Sequence, residues 1–396
     1  MRIVEINTGK HGSTGTIMLQ IANVARENGI EAYTISSART KNSYVENHFY
    51  IGNKTDSILH RDFAFVTGFS ELFSYAATKK LVKKLNELKP DIIHLHNLHG
   101  WYINFPLLFD YIKKNNIAVV WTLHDCWSFT GHCAHFDFIG CEKWKTQCYK
   151  CPQYKEYPRT LIDNSKFMYK MKKEWFCGVK NLTIVTPSVW LADLVKQSFL
   201  KEYPVKVINN GIDLDIFTPR ESNFRKKYGL ENKFVILGVA SVWRDKKGLD
   251  VFIDLAKRLD DNFRIVMVGT DENVDKQLPD CIISIHRTYN QQELAEIYTA
   301  ADVFLNPTKE ETYPTVNMES LACGTPVLTF ATGGSPEIID ETCGVAVPIG
   351  DVDGIYNEIL TVFKERPFKK DDCLKRAEQF NANGKFLEYI DLYKQV

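Results

Sequence analysis

The feature that most constrains the fold is an alternation of short apolar runs with helical patterns along nearly the whole chain. Several runs, such as KFVILGVA, are continuous in Val, Ile and Leu and do not alternate with polar residues. Continuous apolar runs are typical of parallel strands that are buried on both faces. Strands separated by helices predict parallel sheets with right-handed crossovers. The pattern therefore predicts an α/β fold.

The candidate strands form two groups, which suggests that the pattern occurs twice. In the first half they are Arg2–Asn7, Glu31–Ile35, Asp91–His96, Ala118–His124 and Leu182–Thr186. In the second half they are Lys233–Ala240, Phe263–Gly269, Cys281–Ile285, Asp302–Asn306, Pro326–Phe330 and Gly344–Val347. Helical patterns lie between them, as at Leu249–Leu259 and Gln291–Ala300. A chain of 396 residues exceeds what one core usually organises, so two domains are expected.

The joint between the domains is expected in VKVINNGIDLDIFTPR, which has Asn-Gly turn chemistry and a terminal proline. We place the first domain over residues 1–204 and the second over 205–379. The end of the chain suggests two helices broken at Asn383–Gly384. Residues 380–396, with the apolar set Phe386, Leu387, Ile390, Leu392 and Tyr393, are expected to pack back on the first domain.

Composition excludes some classes of partner and compartment. Lys plus Arg equals Asp plus Glu, so no global charge favours a nucleic acid. The N-terminal segment lacks the apolar run of a signal peptide, and no stretch of about 20 apolar residues suits a transmembrane helix. We expect a cytoplasmic protein whose ten cysteines are reduced thiols or metal ligands.

The strongest candidate for a binding site is the segment NPTKEETYPTVNMESLACGTPV. Glu311 lies in a loop after a predicted strand, and Pro314 opens a helix. The free amides of Thr315 and Val316 would favour a diphosphate at that helix end. Glu311 and Glu319 could accept hydrogen bonds from sugar hydroxyls. The alternative is a capping glutamate and an unrelated helical one.

Three further candidates follow predicted strands. Arg244 and Lys247 could pair with phosphates, although a short basic turn is often only solvated. Gly12 and Gly15 permit close approach of a phosphate or sugar, and an ordinary strand–helix turn explains them equally well. His124 could bond a substrate hydroxyl or be a structural histidine.

Together these motifs resemble the family 4 retaining glycosyltransferases of the GT-B fold. The resemblance rests on Glu-x7-Glu followed by ACGTPV and GGSPEII, on Lys-Gly after a Val-rich strand, and on Asn-Gly-Ile-Asp at the joint. It covers nearly the whole chain and is strongest from Ile208 to Val347. It implies two facing Rossmann-like domains, of which the first binds the acceptor and the second the nucleotide sugar.

The resemblance also implies roles for single residues. The implied donor-binding residues are Arg244, Lys247, Glu311, Tyr313, Thr315, Val316 and Glu319, and the implied catalytic residues are His124, Glu311 and Lys247. Glu319 would bind the ribose, Glu311 the transferred sugar, and Lys247 the leaving diphosphate. Two places depart from the family pattern. Its usual arginine is Val242 here, so Arg244 is expected to substitute, and its Gly-Phe-Gly is Thr312-Tyr313-Pro314.

Within the family, TLHDCWSFTG and the cysteines ending in CxxCP resemble bacterial enzymes that build capsular polysaccharide or exopolysaccharide. This implies a hexose from a UDP- or GDP-sugar, and a saccharide or lipid-linked acceptor at the inner face of the membrane. No Asp-x-Asp lies beside the donor segment, so no catalytic metal is expected. The alternatives are a nucleotide-sugar 2-epimerase on the same scaffold and a non-enzymatic zinc-bearing interaction module.

Four cysteines in GHCAHFDFIGCEKWKTQCYKCP suggest a structural zinc site. They are Cys133, Cys141, Cys148 and Cys151, with His132 and His135 as alternative ligands. The last two cysteines have the Cys-x2-Cys spacing of a zinc knuckle. The segment has few aliphatic residues, so little core is expected to hold it. The alternative is four reduced thiols or an oxidised pair.

A second surface feature is RDFAFVTGFSELFSYAATKKLVKKLNEL. It places aromatic residues before a lysine cluster: Phe63, Phe65, Phe69, Phe73 and Tyr75, then Lys79, Lys80, Lys83 and Lys84. This arrangement suits anionic lipid headgroups. The alternative is a core helix with a solvated basic face.

Overall fold

The structure is a computed structural model that describes residues 1–38 and 45–396. The chain forms two compact domains. Domain 1 comprises Met1–Asn209 and Lys385–Val396, and domain 2 comprises Asn210–Gly384. The chain passes between the domains after Asn209 and again after Gly384. Both places lie a few residues further along the chain than the boundaries at 204 and 380 that the sequence suggested.

Domain 1 is built on a parallel sheet. Its strands are β1 (Arg2–Asn7), β2 (Glu31–Ser37), β3 (His48–Ile51), β4 (Ile92–Leu95), β5 (Ala118–Thr122), β6 (Leu182–Thr186) and β7 (Val205–Val207). Among the described residues these seven strands pair in the order β3-β2-β1-β4-β5-β6-β7, all parallel. The direction of winding reverses between β1 and β4. In open α/β sheets the ligand crevice lies at the carboxyl ends of the strands at such a reversal.

The helices described in domain 1 are α1 (Gly12–Glu27), α2 (Lys54–Thr67), α3 (Tyr75–Leu88), α4 (Phe105–Asn115), α5 (Ser165–Phe176) and α6 (Val189–Gln197). Three of these six helices, α2, α4 and α6, begin at a residue whose side chain caps them. The side chain of Asn104 accepts a hydrogen bond from the Leu107 N–H at the start of α4, which also has a proline in its first turn. Between β5 and α5 the chain forms only two 3-10 turns, Trp127–Phe129 and Lys143–Lys145, apart from loops.

Domain 2 repeats the plan. Its strands are β8 (Phe234–Val239), β9 (Phe263–Val268), β10 (Ile282–Ile285), β11 (Val303–Asn306), β12 (Val327–Phe330) and β13 (Gly344–Val347). Over 210–384, all of which the structure describes, these six strands pair in the order β10-β9-β8-β11-β12-β13. The helices are α7 (Phe224–Lys227), α8 (Leu249–Arg258), α9 (Glu272–Asp275), α10 (Gln291–Ala300), α11 (Thr315–Ala322), α12 (Val352–Glu365) and α13 (Lys370–Ala377). The winding reverses between β8 and β11.

Both faces of the domain 2 sheet are covered. Along β8, Phe234 and Ile236 belong to one buried cluster, which includes Phe252 of α8. Val235 and Leu237 belong to another cluster on the opposite face. Successive side chains of a strand point to opposite faces, so a strand covered on both sides must be apolar throughout. This explains the continuous apolar runs and confirms the predicted α/β class.

The C-terminal helix α14 (Ala382–Tyr393) returns to domain 1, as predicted. The Tyr393 hydroxyl lies 2.6 Å from Nδ1 of His94, and the Tyr389 hydroxyl 3.1 Å from the Thr122 hydroxyl. The predicted helix break at Asn383–Gly384 is wrong, because α14 runs through it. The chain bends instead at the 3-10 turn Glu378–Phe380. A helical glycine costs only about 1 kcal/mol, which tertiary packing can offset.

Candidate active site

The predicted charged residues of domain 2 meet at its reversal point. Lys247 lies in a 3-10 turn, Asp245–Lys247, after β8, and Glu311 lies in the loop after β11. The Lys247 Nζ donates to Oε2 of Glu311 at 2.7 Å, and 38% and 24% of the two side chains remain exposed. The structure thus brings together a cation and an anion that the sequence separates widely. Both stay accessible to a ligand.

The backbone around this pair joins the two loops. The Lys309 N–H donates to the carbonyl of Lys246 at 2.9 Å, and the Lys246 ammonium pairs with Glu310 at 3.0 Å. Gly248 has a φ of +80°, and a Cβ there would lie 2.4 Å from Pro307. Only glycine fits that approach, which explains the Lys-Gly pair in the sequence.

A glycine that the sequence analysis missed sets the position of Glu311. Gly333 has a φ of +55°, and a Cβ there would lie 1.9 Å from the carbonyl oxygen of Glu311. The Gly334 N–H donates to the Thr312 carbonyl at 3.0 Å. The Gly-Gly pair of GGSPEII was noted only as part of a family pattern. This glycine pair packs against the backbone of the loop that contains Glu311.

Helix α11 carries the second glutamate. Glu319 is partly buried, and its Oε2 accepts a hydrogen bond from the Tyr298 hydroxyl at 3.1 Å. Burial raises the pKa of Glu319 to about 7, although hydrogen bonds from Tyr298 and Thr315 oppose the shift. At the start of α11, Thr315 and Val316 are partly exposed, and first-turn amides lack intrahelical acceptors. The helix end therefore offers donors to an anion.

Two other predicted donor-binding residues differ from each other in placement. Arg244 is exposed at the start of the 3-10 turn that contains Lys247. Tyr313 is only 5% exposed, and its ring meets Phe380 edge-on at 6.5 Å. The Tyr313 ring therefore packs in the core of domain 2, and the role of this residue in donor binding stays a prediction.

In domain 1, His124 is the outer member of a hydrogen-bonded chain. Its Nε2 lies 3.2 Å from Nδ1 of His96, whose Nε2 lies 3.0 Å from Oε2 of Glu5. Burial lowers the pKa of His124 to about 4 and that of His96 well below its usual value, and it raises the pKa of Glu5 well above its own. His124 is therefore neutral at physiological pH. The sequence analysis missed His96 and Glu5. Glu5 could have been noticed, because it is an acidic residue inside a largely apolar strand.

The same region holds a set of potential metal ligands. Among the described residues, Glu5, His94 and His96 are the group whose ligand atoms all lie within 4.8 Å of one another. Every ring nitrogen of the two histidines already has a protein partner; for His94 these are Tyr393 and Thr122. The chemistry therefore fits a buried hydrogen-bond network better than a metal centre.

The two predicted glycines at the start of α1 have different structural reasons. At Gly15 a Cβ would lie 2.4 Å from the carbonyl carbon of Lys10, so the glycine permits packing against the chain itself. A ligand at Gly15 stays a prediction. Gly12 has a φ of +76°, and a Cβ there would meet no described atom within 4 Å. The space next to the Gly12 Cα is therefore open among the described residues.

The four predicted zinc ligands line one small cavity of about 20 Å³, together with His132. Among the described residues, however, no three of these ligand atoms lie within 4.8 Å of one another. His135 is not part of the cavity wall. The expectation that little core holds the segment is wrong, because Phe136 stacks on Trp144 at 4.8 Å beside the cavity.

The aromatic and lysine segment forms two helices with an exposed apolar surface. Leu59, Phe63 and Val66 of α2 are 51–53% exposed, and Leu161 and Ile162 of a neighbouring loop are 55% and 53% exposed. The Leu161 N–H donates to the carbonyl of Phe65 at 2.8 Å, which joins the two parts. On α3 the side chains of Lys79, Lys80 and Lys83 are exposed. Among the described residues, no helix is long and apolar enough to cross a membrane.

Known protein families match both domains. Residues 14–216 match the family described as Glycosyltransferase Family 4, and residues 233–365 match the one described as Glycosyl transferases group 1. A relative is the putative colanic acid biosynthesis glycosyl transferase WcaC of Escherichia coli K12. It is 26% identical over 334 residues, which are 78% of this chain and 77% of the relative.

Solved structures share the fold over the full chain. A sucrose-phosphate synthase from Thermosynechococcus elongatus has a TM-score of 0.74 at 16% identity, covering 100% of this chain and 98% of that one. HepE from Anabaena, in complex with UDP-glucose, has a TM-score of 0.66 at 14% identity and covers 100% of both chains.

Proposed function

The chain belongs to the family 4 glycosyltransferases, and from this premise we propose that it transfers a hexose from a UDP- or GDP-sugar with retention of configuration. The acceptor is a saccharide or lipid-linked saccharide in bacterial polysaccharide biosynthesis. The likeness to WcaC supports the pathway class, and the UDP-glucose complex of HepE supports the donor class. Domain 2 takes the nucleotide sugar and domain 1 the acceptor.

The observation that carries this proposal is the Lys247–Glu311 pair at the reversal point of the domain 2 sheet. In the reaction the bond between the anomeric carbon and the diphosphate oxygen breaks, and the diphosphate leaves with the electron pair. The acceptor hydroxyl oxygen bonds to the anomeric carbon, and its proton passes to the leaving diphosphate oxygen. Lys247 and the first amides of α11 stabilise the leaving charge without a divalent cation. A bound diphosphate would draw Lys247 away from Glu311, which frees that carboxylate for the sugar hydroxyls.

The other groups have supporting roles in the same proposal. Glu319 accepts hydrogen bonds from the ribose, and the amides of Thr315 and Val316 bind the phosphates. Arg244, exposed beside Lys247, adds a second cation for the diphosphate. His124 is neutral and can therefore donate or accept a single hydrogen bond to a sugar hydroxyl, with the partner nitrogen held by His96.

The acceptor side of the proposal includes the membrane surface. The exposed side chains of Leu59, Phe63 and Val66 would enter the headgroup layer, and the exposed lysines of α3 would pair with anionic lipids. This would hold the enzyme at the inner face of the membrane, where a lipid-linked acceptor is available. Each lysine near an anionic surface contributes about 1 kcal/mol.

The test has two stages. A thermal-shift screen against UDP-, GDP- and ADP-sugars identifies the donor, because a ligand at 100 times its Kd stabilises by about 2.7 kcal/mol. The stabilising donor is then incubated with saccharide acceptors, and release of the nucleoside diphosphate is followed with the anomeric configuration of the product. Release that depends on the acceptor supports the transferase. Conversion of the donor to its C2 epimer without acceptor would replace it with an epimerase.

A further inference from the structure

We propose that the cysteine-rich loop of domain 1 binds one structural zinc ion through Cys133, Cys148 and Cys151, with Cys141 or His132 as the fourth ligand. All five side chains line the same cavity, between β5 and α5. Nothing in the proposed sugar transfer uses this cavity. The ion would therefore be a second, independent feature of the protein.

The four sulfur atoms share one cavity but are not yet at the separations of a metal site. A tetrahedral zinc ion with Zn–S bonds of about 2.3 Å places its sulfurs about 3.8 Å apart. Cys133 and Cys151 both line the cavity wall. Cys148 lies in the same wall and interacts electrostatically with both Cys151 and Cys141. An ion at the cavity would draw the sulfurs inward, because metal binding supplies folding free energy.

The backbone of the Cys148–Cys151 knuckle is held from both sides. The Lys143 ammonium donates to the carbonyls of the two residues between the cysteines, Tyr149 and Lys150, at 3.1 Å each. The Cys151 N–H donates to Asp163 at 2.8 Å. Such outer contacts orient metal ligands before the ion arrives.

One backbone amide and two lysines lie near the sulfur atoms. The Gly131 N–H donates to the Cys148 sulfur at 3.2 Å, a bond that strengthens when the acceptor is ionised. Lys143 lines the cavity, and Lys172 lies buried within electrostatic reach of Cys133 and Cys148. A zinc ion with four thiolates has two net negative charges, and Lys143 in the cavity wall offsets one of them. With three thiolates and one neutral histidine as ligands, the zinc site itself has a net charge of −1.

His132 supplies an independent observation. It is 7% exposed, it lines the cavity, and its Nε2 has no hydrogen-bonding partner among the described residues. Backbone groups of Tyr154 and Glu156 bond the ring instead, which leaves Nε2 as the unpaired atom. A buried imidazole nitrogen without a partner is costly unless it binds something. A metal ion would satisfy it.

The experiment measures metal and thiols in the whole protein, purified without a histidine tag and without chelators. Elemental analysis should give about one zinc per chain. A mercurial reagent should release this zinc, detected with a metallochromic dye. In a separate sample not treated with the mercurial, denaturation with a chelator and without reductant should show all ten thiols. Protein without zinc, whatever its thiol count, would overturn the proposal, and a count of eight would identify a disulfide instead.

Variants locate the ligands. Cys148→Ser with Cys151→Ser should lose the zinc and lower the melting temperature, whereas Cys281→Ser, in exposed surface of domain 2, should keep it. Of Cys141→Ser and His132→Asn, the one that loses the zinc identifies the fourth ligand; full zinc in the double variant would overturn the site. If the double variant does not fold, Co²⁺ exchange into the wild type replaces it, and thiolate-to-cobalt absorption is expected. Zinc content is read without activity, so this test is independent of the proposed transferase.

Discussion

Replacing Lys247 by alanine separates two roles that its ammonium group can have, one in folding and one in catalysis. In the free protein the group pairs with Glu311, and both side chains remain partly exposed. Exposed ion pairs contribute about 0.2–1 kcal/mol to the free energy of unfolding. For a domain of about 150–250 residues, a loss of 1 kcal/mol lowers the melting temperature by about 2–4 °C. The variant should therefore fold and melt almost normally.

The expected effect on the reaction is larger. Removing one preorganised group that stabilises developing negative charge costs about 10²–10³-fold in kcat. Lys247→Ala should thus lose at least about 10²-fold in kcat/KM, measured as acceptor-dependent release of nucleoside diphosphate. The large ratio of rate loss to stability loss is the signature of a group that acts mainly on the transition state.

The neighbouring pair is the matched control. Lys246 pairs with Glu310 at 3.0 Å in the same two loops, with a similarly exposed ammonium group. Lys246→Ala should lose a comparable, small amount of stability and keep kcat/KM within a few-fold of the wild type. Equal activity in the two variants, or a collapse in melting temperature for Lys247→Ala alone, would refute the assignment of Lys247 to the leaving diphosphate.

Three further predictions concern separate parts of the molecule. Glu319→Gln should weaken donor binding by roughly ten- to a hundredfold, since a charged hydrogen bond is lost. Because burial raises the pKa of Glu319 to about 7, ionisation of this carboxyl lowers the free energy of unfolding as the pH rises from about 4.5 to about 7. The melting temperature of the variant, relative to that of the wild type, should therefore be higher at pH 8 than at pH 5. An equal difference at both pH values would contradict the raised pKa. Gly333→Ala should lower both stability and kcat/KM, because its Cβ would overlap the Glu311 carbonyl, whereas Gly229→Ala, also at positive φ but with open space around it, should lose only stability. The wild type should float with anionic but not neutral vesicles, and Phe63→Ser should reduce this while Tyr289→Ser in domain 2 does not; equal flotation of both variants would argue against the surface on α2.

Strands inside the two sheets were predicted close to their observed ends. Examples are β1 and β6, which lie inside the domain 1 sheet and are mostly buried, because strands covered on both faces are mostly apolar. The two strands that were missed, β3 and β7, lie at the edges of the domain 1 sheet and are short. Both are only partly buried, so their sequences carry a weaker signal.

In the candidate site, residues that belong to a local sequence motif could be predicted, whereas contacts between segments far apart in sequence could not. Glu311, Glu319 and Lys247 were selected as candidates because each lies in a recognisable motif near the end of a strand or the start of a helix. The support from Gly333, and the chain from Glu5 through His96 to His124, depend on contacts between segments far apart in sequence. No local pattern encodes such contacts. The burial of Tyr313 against Phe380 was hidden for the same reason.

The cysteine-rich loop shows how composition alone can mislead. Its lack of aliphatic residues suggested that little core could form, yet Phe129, Phe136 and Trp144 pack together there. Aromatic side chains bury large areas each, so a few of them can hold a loop. The zinc proposal therefore rests on the cavity and its ligands, and the need for a substitute core no longer supports it.

The central claim is that domain 2 binds a nucleotide diphosphate sugar at the Lys247–Glu311 pair without a divalent metal. Calorimetric titration of the protein with UDP and GDP, in the presence of EDTA, tests it most directly. We predict saturable binding of one of the two by the wild type and by Lys246→Ala, and strongly weakened binding by Lys247→Ala. Binding that appears only with added Mg²⁺ or Mn²⁺, or that is equal in all three proteins, would contradict the account.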